Sequence, residues 1–323
     1  MPHLPSVDVV VLSWNRIDDT IAAIESALSQ QGVHRRVYVV DQGSSPENLA
    51  RMRAFCSDKA DVLLRELGRN VGVAMGRNIA TQMGDAPYVV ALDNDAIFLN
   101  EHMLARTAQH FEGDGRLGAI AFRILNYFTG HDDEVSWDYP AVLKPQSDQE
   151  FFVTRFVGAG YAVRRSAFDA TGGYDASLFF GGEERDLSYR ILNLGYYIKY
   201  LPDLAVRHRV DPEARIQWSR GRYYYAVRNT LYIEYKYGTS WLRLARAALS
   251  LSVKGVYNGL AGQTLRALAD AATMAMRSSI GRASGLYRLT DDVKAYIERC
   301  ERVVPENFWV RARRQFTKLP GNT

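Results

Sequence analysis

Only two cysteines, Cys56 and Cys300, occur in the 323 residues, and no C-x-x-C pair is present. A thiolate zinc site and a disulfide-stapled secreted scaffold are both excluded, and a reducing cytoplasm is the expected home. Long apolar runs are missing too. The uncharged stretch between Lys254 and Arg266 falls far short of the ~18 apolar residues that a membrane-spanning helix needs. The first residues lack a basic start, and the apolar run at Val9 to Leu12 is too brief for an export signal. No internal repeat or low-complexity tract is visible.

What is there is an ordinary globular composition, 47% hydrophobic and 24% charged, enough for one large domain or two modest ones. The net charge of +4 conceals an uneven split. Residues 212 to 323 carry 19 Lys/Arg against 8 Asp/Glu, which leaves −7 to residues 1 to 211. An acidic front suits chemistry, and a basic back suits an anionic partner, a membrane surface or nucleic acid, or is simply a solvated face.

Short β-branched runs alternate with helical patterns from the start. A strand is expected over Val7 to Ser13, a helix over Asp19 to Gln30, a strand over Val37 to Val40 and a helix from Pro46. A strand at Val62 to Leu64, a helix through Gly72 to Met83 and the apolar strand Tyr88 to Leu92 follow, and together they read as a doubly wound parallel sheet. Arg123 to Glu150 is polar with weak periodicity and reads as a long loop or edge excursion. Beyond it come a strand at Phe151 to Val157, a break at Gly158-Ala159-Gly160, a strand at Tyr161 to Arg164, and helices from Ser166 and Glu183. Trp241 to Ser278 reads as one amphipathic helix with Arg243, Arg246 and Lys254 on one face, to lie on a membrane or pack on the first domain. A helix at Asp291 to Val303 and a basic end, Arg311 to Lys318, close the chain. The division expected is 1 to 237 and a helical, basic region 238 to 323.

Ligands of such sheets bind beyond the carboxyl ends of the strands, so the residues there carry the functional argument. Asp93 and Asp95, one residue apart after a buried strand, offer hard oxygen ligands suited to Mg2+ or Mn2+; the alternative is a loop or helix cap. Asp41, followed by Gly43-Ser44, can accept hydrogen bonds from a base or ribose, or simply form its turn. Arg69 and Arg77 flank a helix N-terminus that favours phosphate. Glu183, Glu184 and Asp186 gather at a helix start behind Phe179-Phe180-Gly181-Gly182, where a carboxylate can serve as a general base. His208 stands between Arg207 and Arg209, which favour a neutral imidazole, and spacing alone leaves it between a structural and a metal-binding role.

Taken together, these segments resemble the inverting glycosyltransferases of family 2, with the GT-A fold, over roughly residues 7 to 237. Val9-Val10-Val11-Leu12-Ser13-Trp14-Asn15-Arg16 is similar to the family's first strand and its S-x-N-R turn. Val39-Val40-Asp41-Gln42-Gly43-Ser44 resembles the V-V-D-N-G-S nucleotide motif, with Gln42 for the usual Asn. Asn70-Val71-Gly72 and Gly76-Arg77-Asn78 resemble the N-x-G and A-R-N stretches, and Asp93-Asn94-Asp95 the D-x-D. Phe156 to Gly160 with Gly172-Gly173-Tyr174-Asp175 is similar to the acceptor-side segment, and Gly182 to Arg190 to the E-D-x-D-L-x-x-R motif. Tyr224-Tyr225 and Arg228-Asn229 resemble a signature of the bacterial rhamnosyltransferase-like branch, whose members build surface polysaccharides.

The resemblance implies an α/β GT-A domain with a helical C-terminal extension, and a metal-dependent inverting transfer. A UDP- or dTDP-linked sugar would lie against Ser13, Asn15, Asp41, Arg77, Asp93 and Asn94. Asp95 and His208 would hold Mg2+ or Mn2+, and Glu184 would be the catalytic base. Gly158, Ala159, Gly160 and Glu183 would face a saccharide or lipid-linked acceptor, with the enzyme in the cytoplasm or on the inner face of its membrane. One displacement needs no covalent nucleophile, so the lack of a Ser/His/Asp or Cys/His arrangement is expected. The alternatives are a nucleotidyltransferase, which wants a glycine-rich loop where Ser13 to Arg16 stand, and a catalytically silent binding module. Nucleic acid is not an expected partner, since no aromatic-interleaved basic platform is present.

Overall fold

The computed structural model describes residues 4–209, 221–238, 240–279, 287–301, 316 and 318–319. The basic end Arg311 to Lys318 lies almost wholly outside them. By internal contacts the chain divides into two compact units, Met1–Phe179 with Glu183–Val210 and Tyr296–Glu301, and Phe180–Gly182 with Asp211–Ala295 and Arg302–Thr323.

In the first unit the described strands form one sheet. Its strands are β1 (Ser6–Ser13), β2 (His34–Asp41), β3 (Val62–Glu66), β4 (Tyr88–Leu92), β5 (Ala96–Phe98), β6 (Leu117–Asn126), β7 (Phe151–Val153), β8 (Gly160–Arg164) and β9 (Tyr197–His208). The order is β3-β2-β1-β4-β8-β6-β9-β5, with β7 also on β9. The expected parallel pairing holds for β3, β2, β1 and β4. The sheet as a whole is mixed, because β8 runs antiparallel to both β4 and β6. No helix lies between β7 and β8, residues 154–159, and β8 is not the second strand of a βαβ unit.

Period-2 alternation divides the side chains. Val7, Val9, Val11, Val37, Val39, Val90 and Leu92 share a core with the helices α1 (Ile17–Leu28), α2 (Pro46–Cys56) and α4 (Met103–Gly113). Helix α1 forms because Ile17, Thr20, Ala23, Ile24 and Ala27 repeat at three and four and bury one stripe. Pro46 at the first turn of α2 and the Ser45 cap define its start. Helix α3 (Val73–Thr81) lies on the other face, where Gly76 approaches Leu12. Two further helices, α5 (Arg165–Thr171) and α6 (Glu183–Asn193), follow β8. The strand expected over Phe151 to Val157 stops at Val153.

The second unit packs α7 (Arg222–Lys236), α8 (Trp241–Tyr257) and α9 (Ala261–Ser279) around Tyr223, Val227, Leu231, Leu260, Ala267 and Ala271. The single helix expected over Trp241 to Ser278 is two. Gly259 takes φ +71°, a left-handed turn that ends α8 and lets α9 fold back on it. A further helix, α10, spans Asp291–Cys300.

Candidate active site

Ser13 and Asp41 end β1 and β2 side by side, both buried. The chain then turns at Asn15, whose φ of 61° is rare outside glycine. Three bonds hold it there. Its N–H donates to Ser44 Oγ at 2.9 Å, its Oδ1 accepts from the Ser45 amide at 2.7 Å, and its carbonyl accepts from Asn48 Nδ2 at 3.1 Å. Asp41 Oδ1 accepts from the amides of Gly43 and Ser44, each at 3.0 Å, and Oδ2 from the Ser44 hydroxyl. Its hydrogen bonds are therefore those of a turn-forming aspartate. Gln42 Oε1 accepts from the Val71 amide at 3.1 Å and ties the end of β2 to the lead-in of α3.

A second cluster sits where β4, β5 and β9 meet. Ala96 pairs with His208 across β5 and β9, and this sets Asp95 Oδ1 3.3 Å from His208 Nε2. Asp93, Asp95 and His208 each present one ligand atom, and these atoms lie within 4.8 Å of one another. Two carboxylate oxygens and an imidazole nitrogen fit a divalent cation such as Mg2+ or Mn2+. Burial, offset by Arg77 and reinforced by Asp95, pushes the Asp93 carboxyl up to about 6. Asp95 lies below its ordinary value: burial raises it, but His208 and Arg16 together outweigh that. Arg16 Nη1 donates to Asp95 Oδ2 at 2.5 Å. Asn94 is directed elsewhere, with its Nδ2 on Thr20 Oγ1 of α1 at 3.2 Å.

The expectation of a neutral His208 is corrected. Burial lowers its affinity for a proton, yet Asp133 and Asp95 raise it by more, up to about 9. Alternation in β9 points Arg207 away, and Arg209 is engaged by Asp19 at 3.0 Å. The decisive neighbours are thus distant in sequence.

The third group centres on Arg77, 3% exposed on the inner face of α3. Its Nη1 donates to Glu184 Oε1, and its Nη2 to Asp93 Oδ1 and to the carbonyl of Gly158, all at 2.8 Å. The Tyr161 ring lies 5.2 Å beneath the guanidinium, with Phe156 stacked on that ring and Tyr174 bonded to its hydroxyl. Glu184, in the first turn of α6, presses against the chain at Gly158, where an added Cβ would fall 2.6 Å from its Oε1. A side chain there would have to displace the end of Glu184. The Ala159 carbonyl accepts from the Asp93 amide at 3.2 Å, and Gly160 opens β8 opposite Leu92. Glu183 is 3% exposed, and its Oε2 has no hydrogen-bond partner among the described residues. Burial first, then the neighbouring Glu184, pushes its carboxyl up to about 8, so it holds its proton at neutral pH.

Arg77, Asp93, Glu184 and Gly158 thus come together, as do Asp93, Asp95 and His208, while Ser13, Asn15 and Asp41 share a hydrogen-bonded turn. Asn94 joins neither cluster through its side chain. Sequence reasoning missed Asp133, which carried no periodic signal inside the polar stretch 123 to 150, and Tyr161, which read as ordinary strand. Arg16 was visible in the first turn without a role.

A mixed sheet of this order, with acidic residues gathered at its carboxyl ends, is the GT-A architecture of glycosyltransferases that use nucleotide sugars. The chain is similar over 98% of its length, at 18% identity and a TM-score of 0.59, to mannosyltransferase PcManGT from Pyrobaculum calidifontis in complex with GDP-Man and Mn2+, of which it covers 88%. Residues 8–172, just over half the chain, match the model for Glycosyl transferase family 2, and the protein belongs to that family. It is 23% identical over 281 residues to the dTDP-rhamnosyl transferase RfbF of Shigella flexneri, covering 80% of this chain and 88% of that one. It is 26% identical over 251 residues to an N-acetylglucosaminyltransferase of Rhizobium meliloti (strain 1021), covering 68% of this chain and only 56% of that protein.

Proposed function

We propose that the protein is a metal-dependent inverting glycosyltransferase that moves a sugar from a nucleotide diphosphate to a hydroxyl of a saccharide or lipid-linked saccharide in surface polysaccharide synthesis. The observation that carries this reading is Arg77, which joins Glu184 to Asp93 at 2.8 Å on each side, with Asp95 and His208 beside Asp93. A base and a set of hard ligands are held in one frame. Ser13, Asn15, Asp41 and Asp93 stand at the strand ends where the nucleotide would lie, and of the UDP- and dTDP-linked donors the likeness to the dTDP-rhamnosyl transferase RfbF supports the dTDP-linked one.

Asp95 and His208 would hold Mg2+ or Mn2+, which would supply compensation for the charge that develops on the departing diphosphate. Glu184 takes the proton of the acceptor hydroxyl at Oε1 or Oε2 as that oxygen attacks the anomeric carbon in line, and the configuration inverts. Arg77 fixes the direction of that carboxylate and offsets its repulsion with Asp93. Glu183, protonated, does not compete for the role and lines the acceptor side with Gly158, Ala159 and Gly160.

In the second unit Leu242, Leu249 and Val256, a heptad apart on α8, are 61%, 67% and 65% exposed. Arg243, Arg246 and Lys254 share this helix with no acidic residue. None of the described helices is long and apolar enough to cross a membrane. An apolar stripe flanked by cations supports docking on an anionic membrane surface.

The test is Glu184→Gln. Release of nucleoside diphosphate should fall by about 10² to 10⁴ in kcat, while the melting-temperature rise given by UDP, dTDP, GDP or CDP with Mn2+ persists. Unchanged turnover would remove Glu184 as the base. In Asp95→Ala, a nucleotide shift that still depends on Mn2+ would remove that carboxylate from the metal.

A further inference from the structure

His208 has two ring nitrogens, and the fold gives each a different carboxylate. Nε2 faces Asp95 Oδ1 at 3.3 Å, on the side of the candidate metal cluster. Nδ1 faces Asp133 Oδ2 at 3.4 Å, with Ser136 Oγ also 3.4 Å away. Asp133 is 4% exposed, a depth at which a carboxylate is costly unless its oxygens are used. They are: Oδ1 accepts from the Val135 amide at 3.2 Å and Oδ2 from the Ser136 hydroxyl at 2.5 Å.

The segment bearing Asp133 is itself anchored. The Asp133 amide donates to the Ile124 carbonyl at 2.9 Å, and Arg123 Nε and Nη2 grip Asp132 at 2.6 and 3.0 Å. Strand β6 pairs Asn126 with His208, so the return of the chain after β6 delivers Asp133 to the far side of the imidazole.

We propose that Asp133 is a positioning residue that fixes the tautomer and ring orientation of His208, so that Nε2 is the nitrogen offered to the metal. This rests on the metal reading given above. A carboxylate without a proton can only accept, so the nitrogen facing it must carry hydrogen. Nε2 faces Asp95 in the same way and carries hydrogen in the metal-free protein; a cation held by Asp95 would displace that proton, whereas Nδ1–H stays committed to Asp133 on the far side, so the lone pair would be freed on Nε2. A carboxylate behind a ligating histidine also raises the basicity of the ligand and restricts its rotation. Ser136 and Val135 hold Asp133 in turn, so the chain of orientation runs from a surface turn to the metal.

The first measurement needs no substitution in Asp133. In protein with 15N-labelled histidine, loaded with Cd2+ as a diamagnetic probe, long-range 1H–15N spectra should show His208 protonated on Nδ1, the resonance being identified by its loss in His208→Gln. A proton on Nε2 overturns the proposal. The second is titration of Mn2+ followed by the electron paramagnetic resonance of the free ion. Asp133→Asn keeps an acceptor for the Val135 amide but puts a donor where Oδ2 takes the Ser136 hydroxyl and faces Nδ1, and its Mn2+ dissociation constant should rise by about 10- to 100-fold. An Asp133→Asn protein that binds Mn2+ as wild type does, while His208→Gln does not, overturns the role of Asp133 alone. A His208→Gln protein with wild-type affinity overturns the metal reading and this inference with it.

Discussion

Glu183 and Glu184 are adjacent in sequence and differ in environment, and the difference decides their chemistry. Glu184 has a buried arginine; the Glu183 carboxyl is enclosed, leaves Oε2 without a partner among the described residues and is pushed from 4.5 to about 8. The folded state holds this proton more tightly than the unfolded chain. Its contribution is therefore intact below pH 4.5, erodes as pH rises and is gone above about 8. Glu183→Gln cannot ionise. Thermal denaturation should show it melting with wild type at pH 5 and above it at pH 8.5, by on the order of 1 kcal/mol or more. Parallel curves across that range would mean that Glu183 is not held neutral. From sequence alone the two glutamates were a motif with an ambiguous member, because burial depends on what α6 packs against.

Elements that follow local pattern were legible, and those set by partners were not. Strands β1, β2 and β4 follow from short β-branched or continuous apolar runs and helix α1 from three-and-four spacing, and the acidic ends of β2 and β4 could be located with them. The direction of β8, the pairing of β5 with β9 and the return after β6 have no local signal, although they deliver Gly158, His208 and Asp133. The glycine break before β8 was visible, but its reason was not: Glu184 occupies the space of a side chain at Gly158. Gly158→Ala should push that carboxylate off Arg77. Overpacking should destabilise the fold by about 1–3 kcal/mol, and a base displaced by ~1 Å should lower kcat on the order of 10². Nucleoside diphosphate release assays beside melting curves check this, and full turnover would show that the base does not depend on its seat.

Across the whole molecule charge is unevenly placed, with carboxylates at the strand ends and cations on the C-terminal helices. Replacing Leu242, Leu249 and Val256 together by Ser should weaken cosedimentation with phosphatidylglycerol vesicles at least about tenfold while leaving nucleotide-dependent melting unchanged. Equal binding of wild type and variant would assign the stripe to another contact. The α/β class, the family motifs and the placing of acidic residues at strand ends were determined by sequence alone, since each rests on local periodicity or on residues a few positions apart. Which nitrogen of His208 meets Asp95, which glutamate keeps its proton and what Arg77 grips were decided only by tertiary structure. Proton affinity and ion pairing depend on desolvation and on charges within a few ångströms, and here those charges come from residues 16 to 113 positions apart.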